Sequence, residues 1–276
     1  MIRLQRLRGT AKIPAAFKAA GQRKKAELLA TIFFEAKTSG KPMKFDSAQW
    51  KPAKNRLKSD THGKCAYCEA PTDAVAHGDV EHFRPKSHYW WLAFCFDNYL
   101  YSCQICNQSY KSNHFPVSGQ KLAGPLMPDA LPEDAELDAL LDLLTLDPIL
   151  LDDDHFNTIW SSEDADLPNP YLEDPEQLFI YEIDPLNREV WVRSAGGERA
   201  DRAMRAADAH LGLNREALRR DRFAYLGPLI AFREVLELPG VPEQAAEIAR
   251  EQIAAKRSET EPFAGMCRYF AASWRI

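Results

Sequence analysis

Two CxxC pairs frame the residues of this chain that are best equipped for chemistry. Cys65 and Cys68 lie in CAYC, Cys103 and Cys106 in CQIC. Each CxxC turn aims two thiolates at one point, and two such turns close a tetrahedral four-sulfur site with no open position. No thioredoxin-like βαβ pattern surrounds either pair, so the spacing points to a structural Zn2+ rather than redox chemistry or disulfides. Cys95 and Cys267 have no partner at ligand spacing and read as small buried hydrophobes.

The stretch between the pairs, residues 69 to 102, is longer than a minimal zinc ribbon needs and has room for a second task. It carries an acid-imidazole pair, Glu81 and His82, in DVEHFRPK, then Asn98; the second pair runs directly into Asn107 and, four residues on, Lys111. An imidazole takes a proton from water near neutral pH. Carboxylate and amide oxygens suit Mg2+ or Mn2+, which keep several waters and bind phosphate. Adjacent residues of a strand point to opposite faces, so Glu81 and His82 share a site only where the strand ends or bends, and Pro85 is compatible with such a break. Lys111 shares a helical face with Asn107 and is a candidate phosphate contact, as are Arg84 and Lys86. Asp79 is a candidate supporting group or alternative ligand. His77, His88 and His114 read as surface or core histidines, and the aromatic run from Tyr89 to Phe96 as packing for a small module.

The order CAYCE, DVEHFRPK, NYLYSCQICNQSYKSNHFP resembles the HNH endonucleases with their ββα-metal core. It is most similar to the subgroup known from anti-phage defence operons of the Septu and retron-effector type, where the nuclease stands beside an ATPase. The resemblance is dense over residues 65 to 117, and LGLNREALRRDR and EPFAGMCRYF are similar to that subgroup's tail. It implies that His82 is the general base, that Asn98 ties the loop and orients the histidine, and that Asn107 is a catalytic residue and metal ligand. Glu81 fills the position of the family's acidic ligand to a catalytic Mg2+ or Mn2+. Many HNH enzymes place a histidine and a further ligand where this chain has Asn107 and Lys111, so fewer protein ligands and more waters are expected here.

The elements that must position these residues follow from the rest of the 276-residue chain. Residues 1 to 64 carry sixteen Lys/Arg against four Asp/Glu, a net +12, which leaves −17 to the remainder of a chain whose total is −5. A basic segment of this kind suits a polyanion approached from that side, or a solvated helix face. Within it AAGQRKKAELLATIFFEAKT has helical spacing, and GKP at 40–42 stops the helix. Residues 118 to 176 are acidic and proline-punctuated and read as a connection or insertion with one short helix, ELDALLDLLTLD; Asp152, Asp153 and Asp154 before His155 lack partner spacing for a metal site and read as an acidic loop, and the acidic half as a whole is a candidate to dock a basic partner or screen a nuclease from DNA. QLFIYEIDPLNREVWVRS alternates around a DPLN turn and predicts a hairpin. Helices then run to the C-terminus, one ending on Gly212. The expected fold class is α+β: a ββα-metal HNH core with a four-cysteine zinc staple (65–117), after a basic N-terminal helical segment (1–64) and before an acidic connection, β-hairpin and helical C-terminal region (118–276).

No apolar run approaches the length of a membrane span and the first residues lack an apolar signal core, so the expected location is the cytoplasm, without a membrane partner. The expected function is metal-dependent hydrolysis of DNA phosphodiesters as the effector of an anti-phage system, with an ATPase partner implied by the resemblance. Two alternatives stand beside it: a zinc-stapled nucleic-acid-binding subunit without catalysis, and an HNH nuclease acting on structured RNA such as tRNA.

Overall fold

A computed structural model describes residues 1–72 and 77–276. It is an α+β structure with two small antiparallel sheets. Helix α1 (Ala19–Ser39) ends at Gly40, whose φ of 67° is left-handed backbone that glycine adopts without strain. The short α2 (Lys54–Asp60) follows. Strands β1 (Asp79–His82) and β2 (Tyr99–Ser102) pair with Glu81 opposite Leu100 and His82 opposite Tyr99. A π-helical segment, Ile105–Lys111, begins inside the second CxxC pair. This puts Asn107 and Lys111 on one short element directly after β2.

Helices α3 (Asp134–Leu144) and α4 (Asp153–Trp160) lie in the acidic stretch. The hairpin expected around DPLN is β3 (Phe179–Asp184) paired with β4 (Glu189–Ser194). The chain closes with α5 (Glu198–Leu211), α6 (Glu216–Glu237), α7 (Glu243–Lys256) and α8 (Ala264–Trp274). The main core joins the cysteine turns and Leu100 of β2 to β3, β4 and the C-terminal helices. A second core packs α1 on α3 around Phe94, and a third seats Phe17 and Leu57 beneath Tyr99 and Tyr101. Burying a phenylalanine such as Phe17 stabilises by roughly 1.5–3 kcal/mol, so packing helps to hold the N-terminal segment on the hairpin.

Part of the positive charge of residues 1–64 is paired with groups of the protein itself. Arg8 pairs with Asp97 at 2.6 Å and with Asp153; Arg23 pairs with Asp138 at 2.5 Å and Asp142 at 2.6 Å. Lys25 is buried and donates to the Gln49 carbonyl at 2.7 Å. The acidic stretch is likewise integrated rather than a free connection. Asp152 caps α4 by accepting from the His155 N–H at 2.8 Å, and Glu163 lies fully inside the fold. Among the described residues no helix is long and apolar enough to cross a membrane.

Candidate functional site

The four cysteines converge as their spacing predicts. The sulfurs of Cys65, Cys68, Cys103 and Cys106 all lie within 4.8 Å of one another, with Cys68 and Cys103 at 4.0 Å. Four ligands about 2.3 Å from one zinc sit under 4 Å apart, so the donor set fits the ion with little adjustment. The Cys106 N–H points at Cys103 Sγ, 3.4 Å away, as the tight turn requires. The thiols divide. Hydrogen bonds from neighbouring sulfurs draw Cys68 and Cys103 below the ordinary thiol value, while burial of Cys65 and the donated bonds of Cys106 push those two up. A bound cation removes that division by favouring thiolate at all four. Cys95 and Cys267 are buried elsewhere, both pushed up to about 12 by desolvation, which suits inert thiols.

His82 ends β1 and is buried. Its Nε2 lies 2.9 Å from the Ala93 carbonyl oxygen. A carbonyl only accepts, so Nε2 carries the proton and Nδ1 holds the lone pair. Trp50 and Tyr99 meet the ring edge-on at centroid distances of 4.9 and 5.0 Å. Burial lowers its pKa to about 3, the charges of Lys86 and Lys111 add to that effect, and the bond to Ala93 opposes it. The imidazole is therefore neutral and aimed.

Asn98 supports this arrangement from behind. Its Oδ1 accepts from the Arg84 N–H at 2.8 Å, and its Nδ2 donates to the Arg84 carbonyl at 2.9 Å and the Leu92 carbonyl at 3.3 Å. One buried amide thus clamps both ends of loop 84–92, and the next carbonyl, Ala93, is the one that fixes His82. Tyr99 Oη also donates to that carbonyl at 2.8 Å.

Glu81 points to the other face of the hairpin, as strand alternation requires. Lys111 Nζ lies 2.5 Å from its Oε1 as an ion pair and donates to the His82 carbonyl at 2.9 Å. Burial raises the Glu81 pKa and Lys111 opposes the rise. Asn107 is half-buried, with Nδ2 3.5 Å from Asp79 Oδ2. Glu81 and Asn107 offer oxygen donors right in kind for Mg2+ or Mn2+, but no contact joins them among the described residues, and the Glu81 carboxylate faces Lys111. A divalent ion there needs Lys111 to withdraw or must use the other carboxylate oxygen.

Two of the candidate phosphate contacts are held by protein partners in this structure. Lys111 is fully buried on Glu81 and ties the π-helix to the end of β1. Arg84 is also buried: its Nε reaches Glu163 Oε2 at 2.6 Å and its guanidinium lies 4.2 Å from the Trp160 ring centroid. Lys86 is half-buried over the Trp50 ring at 5.2 Å, close enough to bias both Glu81 and His82.

Four participants had no spacing signal in the sequence. The Ala93 carbonyl is backbone and invisible to residue type. Trp50 comes from the N-terminal segment and Glu163 from the acidic stretch. Arg215, in LGLNREALRRDR, donates to Cys106 Sγ at 3.5 Å and Cys68 Sγ at 3.8 Å. Burial lowers the Arg215 pKa, but the two sulfurs outweigh it and the net shift is upward.

The fold and site thus define an α+β protein with a four-cysteine cluster that could hold a metal ion, clamped beside a hairpin that ends on an oriented, neutral histidine. The Septu protein PtuB of Bacillus mycoides (strain KBAB4) is 37% identical to this chain over 89 residues, which cover 28% of this chain and 30% of that protein. The match thus spans less than a third of that relative's length. No protein-family model and no solved structure matches the chain.

Proposed function

We propose that the protein is a metal-dependent endonuclease of the HNH type that hydrolyses DNA phosphodiesters, and that it serves anti-phage defence together with an ATPase partner. The similarity to a Septu protein supports the defence role and a defence complex. One observation carries the chemical reading: the His82 Nε2 bond to Ala93, which leaves Nδ1 as a lone-pair nitrogen that no protein group among the described residues engages.

In this reading Nδ1 takes the proton of the attacking water, and Asn98 acts as a positioning residue by holding the loop that carries Ala93. An imidazole pushed down to about 3 is a weak base. A phosphate beside it supplies negative charge that offsets Lys86 and Lys111 and makes the ring more basic when substrate is bound. Glu81 and Asn107 are the residues that would hold Mg2+ or Mn2+, which when bound polarises the phosphate and stabilises the leaving oxygen. Lys86 is the basic side chain best placed to meet the substrate backbone.

The second reading, a zinc-stapled nucleic-acid-binding subunit, draws on the Glu81–Lys111 ion pair, because a carboxylate held by lysine is less available to a catalytic ion. Supercoiled plasmid and tRNA incubated with the purified protein in Mg2+, in Mn2+ and in EDTA separate these readings. The expected outcome is metal-dependent nicking of plasmid that EDTA stops. Cleavage of tRNA alone transfers the same chemistry to RNA, and binding of either without cleavage in any metal favours the subunit reading.

A further inference from the structure

Arg222 on α6 is a buried guanidinium with no carboxylate within ion-pair distance among the described residues. It is 3% exposed and donates to the Leu213 carbonyl at 2.8 Å. Glu69, whose charge also reaches it, is 2.7 Å from the Met1 amino group. A cation placed so deep demands an anion nearby. Cys68 supplies the site of one: it lines the same small internal void as Arg222, whose pKa is lowered by burial and raised in part by Tyr181 and then by Cys68.

Arg215 stands at the start of the same helix and touches the cluster directly, through Cys106 and Cys68, while Nη1 also donates to the Leu211 carbonyl at 3.4 Å and the Gly212 carbonyl at 3.1 Å. Those carbonyls end α5. Gly212 itself, at φ 59°, lies so close to the Tyr110 ring of the π-helix that a Cβ there would sit 2.4 Å from it. The α5–α6 junction is thus pressed against the metal turn by shape and reaches its sulfurs by charge.

A zinc tetrathiolate carries two negative charges shared by all four sulfurs, and Arg215 reaches two of those sulfurs directly. We propose that Arg215 and Arg222 are the counter-charges of the metal-loaded cluster, so that metal occupancy fixes the α5–α6 junction, and with it the C-terminal helices, onto the hairpin that holds His82. The inference rests on the four-cysteine zinc reading. It makes the staple a joint between two parts of the protein: the ion holds all four sulfurs together as thiolates against the two arginines, and without it the docking loses that fixed charge.

The test uses the zinc-loaded full chain and Arg215→Gln, Arg222→Gln and, as a control, Arg233→Gln, whose residue pairs with Glu237 on an exposed face. Zinc release to a chromophoric chelator is followed for each. Loss of a group that supports metal ligands from outside weakens retention about 10- to 100-fold, so release from the first two variants is expected to be at least about tenfold faster than from wild type and the control. Should either variant fail to fold, hydrogen exchange of the wild type before and after zinc removal carries the same question. Residues 207–226 are expected to lose protection with the metal while α1 keeps its own. Equal release from all four proteins, or unchanged protection of 207–226 in the metal-free chain, overturns the proposal and leaves the zinc site standing. A wild type that holds no zinc removes both.

Discussion

At the scale of single residues, placement matters more than identity. His82 is oriented because a backbone carbonyl selects its tautomer and one asparagine holds the loop behind that carbonyl. Glu81 and Lys111 show the reverse: both have the type expected at a phosphodiester site, yet in this structure they are buried on each other. Removing one partner of a buried pair leaves an uncompensated charge, so Lys111→Met is expected to lower unfolding free energy by about 3 kcal/mol in urea titration. The double variant Lys111→Met/Glu81→Gln should recover a good part of that loss. A single variant as stable as wild type would mean that Glu81 already has another counter-ion, and a divalent ion would be the first to look for.

At the scale of elements, the acidic stretch is a structural partner of the site. Glu163 accepts from Arg84 and, at 2.5 Å, from Tyr89 Oη, and also from the Leu122 N–H at 3.2 Å. It therefore anchors loop 84–92 from the side opposite Asn98. Glu163→Ala strands the buried Arg84 charge and is expected to cost about 3–5 kcal/mol and to loosen that loop; chemical denaturation together with exchange rates in residues 84–93 checks both, and a loss within 0.5 kcal/mol would show that Glu163 carries no such load. The cysteine turns, the β3–β4 hairpin, α1, α3 and the C-terminal helices were legible in the sequence because each has a local signal: a spacing, a period, or a glycine stop. Glu163, Trp50 and the arginines at the cluster were not, since each works through a contact distant in the chain that no period encodes. The surroundings of the basic N-terminal segment were hidden for the same reason. Composition counts charges, but whether Arg8 or Arg23 meets phosphate or Asp153 and Asp138 depends on which helices lie beside them.

At the scale of the whole molecule, the parts form a chain of support. The C-terminal helices meet the cysteine turns through Arg215, the turns border the hairpin, and the hairpin ends on His82. The acidic stretch and N-terminal segment close the other side, bringing Glu163 under loop 84–92 and Trp50 against the imidazole. Such a framework suits a reaction that needs one proton acceptor held still. Its central claim is that His82 acts chemically and not merely as packing. The most direct measurement compares wild type with His82→Ala and His82→Gln for cleavage of supercoiled plasmid in Mn2+, with zinc content and thermal unfolding measured on the same samples. Wild-type cleavage lost by at least about 100-fold in both variants, with zinc content unchanged and the fold intact, is the expected result. Cleavage that persists in a folded, zinc-loaded His82→Ala protein would contradict it.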